Sequence, residues 1–343
     1  MCGEAANEKH PLVSIIVLNW NGLVYLEKCL QSLMCLTYPN YEVIVVDNGS
    51  SDGSSNMVKR KFKNVRLIIN KTNLGFAKGN NVGIKASEGN LIVLVNNDVV
   101  VDPTWLSELV KATVDSPKIG MTSGIILQSK PSDVVWSAGK KIDAFTGISW
   151  RIGYGEKFKQ LVKVEDIDYF SGCALLVKKQ VMMKIGLLDE GYFFYGEDAD
   201  WSFCARRAGF DCEFAPLAMV WHEGSGTRKR IPRKGYYWYN RSAFRLYFKH
   251  FPLVFWFTTV PFRLIISSLS EILFLRRPIG YISLRMAAFA HTLLELKEII
   301  AMRRELNRLG RLPLKIRFRE FLKVVKQSVD FKADSSIGGR EVL

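Results

Sequence analysis

An α/β fold, with a mostly parallel sheet covered by helices and a basic, apolar helical extension after it, is predicted by three observations on this 343-residue sequence. Short apolar runs alternate with amphipathic stretches over the first hundred residues, the pattern of strand–helix–strand crossovers. Each run stops in a cluster of Asn, Asp and Gly, and such clusters gather at the carboxyl edge of a sheet, where open α/β folds bind ligands. The third observation is charge. From Arg228 onward 24 Lys and Arg stand against 8 Asp and Glu, a net of +16, whereas the first 227 residues carry a net of −1.

Apolar residues make up 48% and charged residues 24%, so the chain can bury a large core and wholesale disorder is excluded. The N-terminus, M-C-G-E-A-A-N-E-K-H-P, has no basic segment followed by an apolar one, so no secretory signal is expected. Six cysteines (Cys2, Cys29, Cys35, Cys173, Cys204, Cys212) form no C-x-x-C pair and no zinc-like spacing. A reduced, cytosolic chain is expected.

Residues 12–18 (L-V-S-I-I-V-L) form a β-branched, apolar run that stops at Asn19, Trp20, Asn21 and Gly22, which predicts the first strand. Residues 23–36 carry Leu23, Leu26, Leu30 and Leu33 at helical spacing, closed by Pro39. Residues 41–46 are a second strand ending at Asp47, and residues 65–69 a third. Residues 73–87 read as a loop and then a helix, with Gly89 as its stop. The strand over 91–95 (L-I-V-L-V) then ends in Asn96, Asn97 and Asp98. Asn-Asn-Asp on a short turn offers hard oxygen ligands suited to magnesium or manganese carrying a diphosphate, or it closes a core strand as an ordinary turn. A single Asp after a strand is ordinarily a helix N-cap. Asn19 with Asn21, then Asp47, Asn73 and Asp98, delivered to one edge in succession, point instead to a ligand site.

Residues 111–168 hold turn signals and scattered aromatics, and read as irregular structure with short strands facing an acceptor. Residues 169–178 (Y-F-S-G-C-A-L-L-V-K) form another strand, with Ser171 and Gly172 leaving room for a ligand. Over residues 187–210, Glu197, Asp198 and Asp200 open a helix ended by Gly209. Acids suit a helix N-terminus, but three within four residues exceed what capping requires. Crowded beside Phe193, Phe194 and Tyr195, one of them would have its pKa raised, as a general base needs. His222, in V-W-H-E-G-S-G, is either structural or a metal ligand.

Residues 228–234 (R-K-R-I-P-R-K) are a basic loop that could close over a diphosphate, touch anionic lipid or link solvated segments. Aromatic and basic residues interleave over 236–252. The apolar stretch 251–275 is interrupted by Pro261, Arg263 and Glu271. A central Arg costs about 3 kcal/mol on translocon scales, so two shorter interfacial helices are expected in place of one span. The other reading is a hydrophobic subdomain packed on the core or on a second copy, which leaves a homo-oligomer open. Residues 302–325 are basic and amphipathic, and the last dozen read as disordered. The expected organisation is therefore a ligand-binding domain over 1–227, a helical, membrane-associated extension over 228–330 and a tail over 331–343. Nucleic acid is not expected as a partner, because basic charge with aromatics would leave the acidic clusters unexplained.

In combination, S-I-I-V-L-N-W-N-G, V-V-D-N-G-S-S-D-G-S, N-L-G-F-A-K-G-N-N-V-G, L-V-N-N-D-V-V-V-D, S-G-C-A-L-L-V and Y-G-E-D-A-D-W resemble, in order, the inverting family 2 glycosyltransferases with the GT-A nucleotide-diphospho-sugar transferase fold. The resemblance covers roughly residues 12–225 and is nearest to the rhamnosyltransferase group. It implies that Asp47 contacts the nucleoside with Asn19 lining the same pocket, and that Asn73 and Asn81 border the nucleotide. Asn96, Asn97 and Gly172 join that donor set. Asp98 takes the last position of the family's D-x-D motif and would bind Mg2+ or Mn2+, with Asn96 replacing the first Asp and His222 as an additional ligand. Asp198 matches the catalytic base and Glu197 its acidic neighbour. Members commonly carry Arg where this chain has Cys204, and Arg206 and Arg207 are the expected substitutes. The implied donor is a dTDP- or UDP-sugar, the implied acceptor lipid-linked or glycan, and the expected location the inner face of the cell membrane. A polyprenyl-phosphate glycosyltransferase and a non-catalytic nucleotide-sugar-binding protein are the alternatives.

Overall fold

The computed structural model describes residues 10–160, 164–224, 231–273 and 278–323. The first four strands are β1 (Val13–Asn19), β2 (Tyr41–Asp47), β3 (Arg66–Ile69) and β4 (Leu91–Asn96), joined by helices α1 (Leu23–Leu33), α2 (Ser54–Lys61) and α3 (Phe76–Ala86). They pair in parallel in the order β3-β2-β1-β4, as short crossovers through helices require. Within β1, Val13, Ile15 and Val17 face one hydrophobic core and Ile16 the other. The apolar runs are continuous because both faces of the sheet are covered. Leu26, Cys29, Leu30 and Leu33 of α1 seal the first core, and Ala77 and Ile84 of α3 the second. Gly89 is not a helix stop: α3 ends at an extended Ser87. Gly89 instead lies where a Cβ would press on Leu12 O and Ser14 N, so the chain can re-enter the sheet beside β1.

Beyond β4 the sheet is mixed. A short β5 (Val99–Val101) and α4 (Trp105–Val114) lead to β6 (Ile119–Leu127), followed by β7 (Val135–Ser137) and a separate hairpin of β8 (Lys140–Ile142) and β9 (Ser149–Arg151). The expectation of irregular structure over 111–168 is thus corrected, because β6 is a nine-residue central strand. It is flanked by β10 (Ala174–Lys178), antiparallel, and β11 (Asp211–His222), parallel. The predicted strand over 169–178 shortens to β10, which pairs antiparallel with β4. Helix α5 (Lys179–Ile185) follows β10, and α6 (Glu197–Arg207) carries the acidic cluster, with Gly209 at φ +86 just past its end.

The helical extension starts with α7 (Pro232–His250), whose aromatic and basic residues are largely internal: Phe244, Arg245, Tyr247, Phe248, Lys249 and His250 are all buried. With Phe203 of α6, Tyr169 and Ile142 they form a third core. The packed-subdomain reading therefore describes α7. The stretch expected to be two interfacial helices is one helical run instead: α8 (Leu253–Pro261), a π turn over Phe262–Ile266 and α9 (Ser267–Leu273). A proline within a helix displaces the preceding turn's carbonyl, and the widened turn directly after Pro261 accommodates it. Helices α10 (Gly280–Leu294) and α11 (Leu296–Leu309) follow. Residues 228–230 of the expected basic loop, the end of the 302–325 segment, the tail and Cys2 lie outside the described residues, whereas Pro232, Arg233 and Lys234 are not loop but the first turn of α7.

Candidate active site

The carboxyl edge of the parallel strands opens into a cavity of about 770 Å³ between the sheet, the β8–β9 hairpin and α7. Its floor is set by strand register, which places Asn19 opposite Asp47 and Leu18 opposite Asn96. Asn19 is fully buried. Its Nδ2 donates to Asp47 Oδ2 at 3.1 Å and to Ser54 Oγ at 2.9 Å, and its Oδ1 accepts from Asn97 Nδ2 at 2.7 Å. Asp47 also accepts from Ser50 N at 2.8 Å. Asn19 and Asp47 therefore sit beneath the cavity and shape its floor, while Asn97 lines it. Gly22 permits this, since a Cβ there would overlap the Asn97 amide.

Asn73 lines the cavity beside Asn48, and its Oδ1 accepts from Gly75 N at 2.9 Å. Asn81 does not reach the cavity. Its amide brackets Leu188, accepting from Leu188 N at 3.1 Å and donating to Leu188 O at 2.9 Å. It pins the segment that delivers Phe193, Phe194 and Tyr195 to the cavity wall. Tyr195 takes φ +71 and Gly196 φ +85, a left-handed step that turns the chain into α6.

One wall carries Asn96, Asn97, Asp98 and His222. His222 ends β11, paired with Val99 of β5, so its ring lies over the turn that holds Asp98. The Nε2 of His222 is 3.2 Å from Asp98 Oδ1, and the ring packs edge-on against Trp136. Burial opposes charge on Asp98, but the adjacent His222 outweighs it and holds the carboxyl below its ordinary value. His222 Nδ1 is buried without a hydrogen-bond partner among the described residues, and Asp98 Oδ1 has the His222 ring beside it. A carboxylate, an imidazole and two amide oxygens on one wall fit a divalent cation of the Mg2+ or Mn2+ kind.

The same lining carries the acids Glu197 and Asp198. Asp198 Oδ2 accepts from Gly172 N at 3.2 Å, and Oδ1 from Ala199 N at 2.8 Å. Gly172 thus contributes its backbone N–H at the cavity wall. Lys140 of β8 brings its Nζ to 3.5 Å from Asp198 Oδ2 and over the Tyr169 ring. Burial opposes the ammonium, yet Asp198 opposite it raises the Lys140 pKa, so the lysine stays charged. Glu197 is the acid whose pKa is pushed up, to about 8, first by burial and then by the charge of Asp198. The crowding anticipated from sequence therefore acts on Glu197.

The expected support of the acidic motif by Arg206 and Arg207 is corrected. Arg206 Nη1 donates to Asp168 at 3.2 Å, and Arg207 to Gly310 O and His250 O at 2.9 and 3.0 Å. The support comes from α7. Lys249 Nζ is 2.9 Å from Asp200 Oδ2 and 2.8 Å from Asp189 Oδ2, and His250 Nε2 is 2.7 Å from Asp200 Oδ1. Burial drives the His250 pKa down to about 4, so the imidazole is neutral and donates. Asp200, Cys204 and His250 have the donor types of a metal site. The ammonium of Lys249 already neutralises that carboxylate, so the cluster is a closed ion pair. Sequence reasoning missed Lys140, Trp238 and Tyr239, all of which line the cavity. A lysine on a short hairpin and aromatics inside a basic stretch carry no local mark of the acid they will face.

The profile of glycosyl transferase family 2 matches residues 14–186, half of the chain. The chain belongs to glycosyl transferase family 2. It is 28% identical over 237 residues to the uncharacterized protein y4gI of Sinorhizobium fredii, and 26% identical over 210 residues to the glycosyltransferase AglE of Haloferax volcanii. These matches cover 64% and 60% of this chain, and the chain spans 25% and 64% of those relatives' own lengths. An N-acetylglucosaminyl-diphospho-decaprenol L-rhamnosyltransferase of Mycobacterium tuberculosis is 25% identical over 245 residues, covering 64% of this chain and 79% of the relative. Among solved structures, a mannosyltransferase from Pyrobaculum calidifontis in complex with GDP-Man and Mn2+ superposes with TM-score 0.53 at 16% identity, covering 88% and 86% of the two chains. S. aureus TarS in complex with UDP gives TM-score 0.51 at 16% identity, covering 95% and 93%. At that identity they establish the GT-A fold alone.

Proposed function

We propose that this chain is an inverting glycosyltransferase that moves a sugar from a nucleoside-diphosphate donor onto the hydroxyl of a lipid-linked or glycan acceptor. The observation that carries this reading is one cavity whose lining joins Asn96, Asn97, Asp98 and His222 to Glu197 and Asp198. Asn48 and Asn73 line the nucleotide side, over the floor built by Asn19 and Asp47. Asp98 and His222, with the amides of Asn96 and Asn97, would hold Mg2+ or Mn2+. When bound, that ion neutralises charge on the leaving nucleoside diphosphate.

Asp198, paired with Lys140, takes the acceptor hydroxyl proton while the acceptor oxygen bonds to the anomeric carbon. The bond from that carbon to the diphosphate breaks in the same displacement, so configuration inverts and no covalent glycosyl intermediate forms. Glu197, protonated at neutral pH, offers a donor to a sugar hydroxyl and spares the site a second negative charge. The L-rhamnosyltransferase among the relatives supports rhamnose as the sugar, and dTDP or UDP is its carrier in this reading. A peripheral position on the inner membrane face belongs to this reading, as does division into a catalytic unit to residue 227 and a helical extension over 228–330. Incubation with a panel of dTDP-, UDP- and GDP-sugars and a polyprenyl-diphosphate-linked sugar acceptor tests it. The expected product has inverted anomeric configuration by NMR, and Asp198→Asn abolishes it. A retained configuration, or turnover preserved in that variant, overturns the proposed chemistry.

A further inference from the structure

The run from Leu253 to Leu273 is inside out for a protein in water. The residues it buries are Thr259, Arg263 and Ser268, while Leu253, Phe257, Ile265, Leu269 and Leu273 are exposed, Phe257 by 83%. Helix α10 repeats the pattern, burying Arg285 and Thr292 and exposing Met286, Leu293 and Leu294. The buried polar groups satisfy one another. Arg263 Nε and Arg285 Nε donate to Asn240 Oδ1 at 3.3 and 3.0 Å, Arg285 also bonds Ser268 Oγ at 2.7 Å, and Tyr236 donates to Glu271 at 2.8 Å. A helix facing water keeps such groups outside. Polar groups bonded inside an apolar shell are the arrangement required in hydrocarbon, where no water can serve them.

We propose that the exposed apolar face of α8, α9 and α10 inserts into the lipid hydrocarbon of an anionic membrane, as an anchor embedded from one side. The run over Leu253–Leu273 has 21 residues and mean hydropathy 1.5. Helix α10 has 15 residues, roughly 22 Å of helix at about 1.5 Å per residue, too short to cross a core of about 30 Å. Charge complementarity favours a lipid partner over a second copy: the region from Arg228 onward carries a net of +16, which attracts anionic headgroups and repels its own copy. The anchor adjoins the cavity. The Arg263 guanidinium lies 4.8 Å over the ring of Tyr239, which lines it. Insertion would hold the cavity mouth at headgroup level, where the sugar of a lipid-linked acceptor emerges.

The inference rests on the peripheral-membrane reading above, and flotation with vesicles of phosphatidylethanolamine and phosphatidylglycerol separates the two. In about 0.5 M salt the Debye length shrinks to roughly 4 Å and adsorption through basic residues is lost. The full chain is expected to float with and without that salt, and the Phe257→Glu, Leu269→Glu double variant to lose at least about tenfold of the salt-resistant fraction. Release of the wild type by salt would leave the peripheral reading standing and overturn insertion. Undiminished salt-resistant flotation of the double variant would overturn this apolar face as the anchor. A stable dimer by light scattering with no flotation would assign the apolar face to a second copy and overturn both. Nucleotide titration of the double variant, unchanged from wild type, establishes that it folds.

Discussion

Lys140 and Asp198 form an ion pair in the cavity lining, Nζ to Oδ2 at 3.5 Å, from segments 58 residues apart. The groups around Asp198 are Lys140 on the hairpin, Tyr169 and Cys173 on the approach to β10, and Glu197 and Asp200 on its own helix. Of these only Lys140 is cationic, and it pairs with the Asp198 carboxylate. Lys140→Met is expected to lower turnover about tenfold, equivalent to about 1.4 kcal/mol. Lys140→Arg should recover part of that loss in initial-rate measurements, and no recovery would reduce Lys140 to a packing role.

Glu197 is the acid whose pKa is raised, by burial and then by the charge of Asp198. Its pKa of about 8 means that it is protonated below that pH and adds a second negative charge beside Asp198 above it. Turnover should therefore decline as pH rises through about 8. Glu197→Gln, neutral at every pH, should retain activity at pH 7 and lose that alkaline limb, as read from initial rates across the range.

At the metal wall, His222→Ala removes the imidazole that lies 3.2 Å from Asp98. Manganese-dependent nucleotide affinity should fall about tenfold to a hundredfold, with metal-independent affinity little changed. Gly22→Ala should weaken both by displacing Asn97 from the floor, while thermal unfolding stays close to wild type. Calorimetry with and without manganese separates the two variants.

The ion pair behind the site has a stability role. Lys249→Met leaves Asp200 and Asp189 without their shared ammonium, which lies 2.8–2.9 Å from each. Removing one partner of a buried pair costs about 3–5 kcal/mol, because the charge left behind is uncompensated. Urea unfolding should report a loss of that order. The Asp200→Asn, Lys249→Met double change should be milder than the sum of its parts.

The half of the sheet up to β4 is legible in sequence because each strand is a continuous apolar run ended by polar residues, and register carries Asn19, Asp47 and Asn96 to one edge. The same rule fails at β6. Thr122, Ser123 and Gly124 interrupt its apolar run, yet Thr122 accepts from Thr113 and Ser123 donates to Ala174 O, both at 2.8 Å. Gly124 is small because a Cβ there would strike Ala218 of β11. Those partners are distant in sequence, so the strand looks broken until it is paired. Arg245, Lys249 and His250 mislead in the opposite direction. They suggest a wet surface, but acids brought in by α6 and the segment before it allow them to be buried. Asn19 and Asp47 are found at the right edge, but only the hydrogen bonds distinguish a floor residue from a lining one.

The central claim is that one cavity joins a metal-assisted nucleotide site to an acidic base. Its most direct test is calorimetric titration of the full chain with dTDP, UDP and GDP, each with and without manganese, in wild type and Asp98→Ala. The account predicts that one nucleotide binds, that manganese tightens it at least about tenfold, and that Asp98→Ala abolishes the manganese effect. Failure of all three nucleotides to bind in the presence of manganese, or a manganese effect preserved in Asp98→Ala, would contradict it.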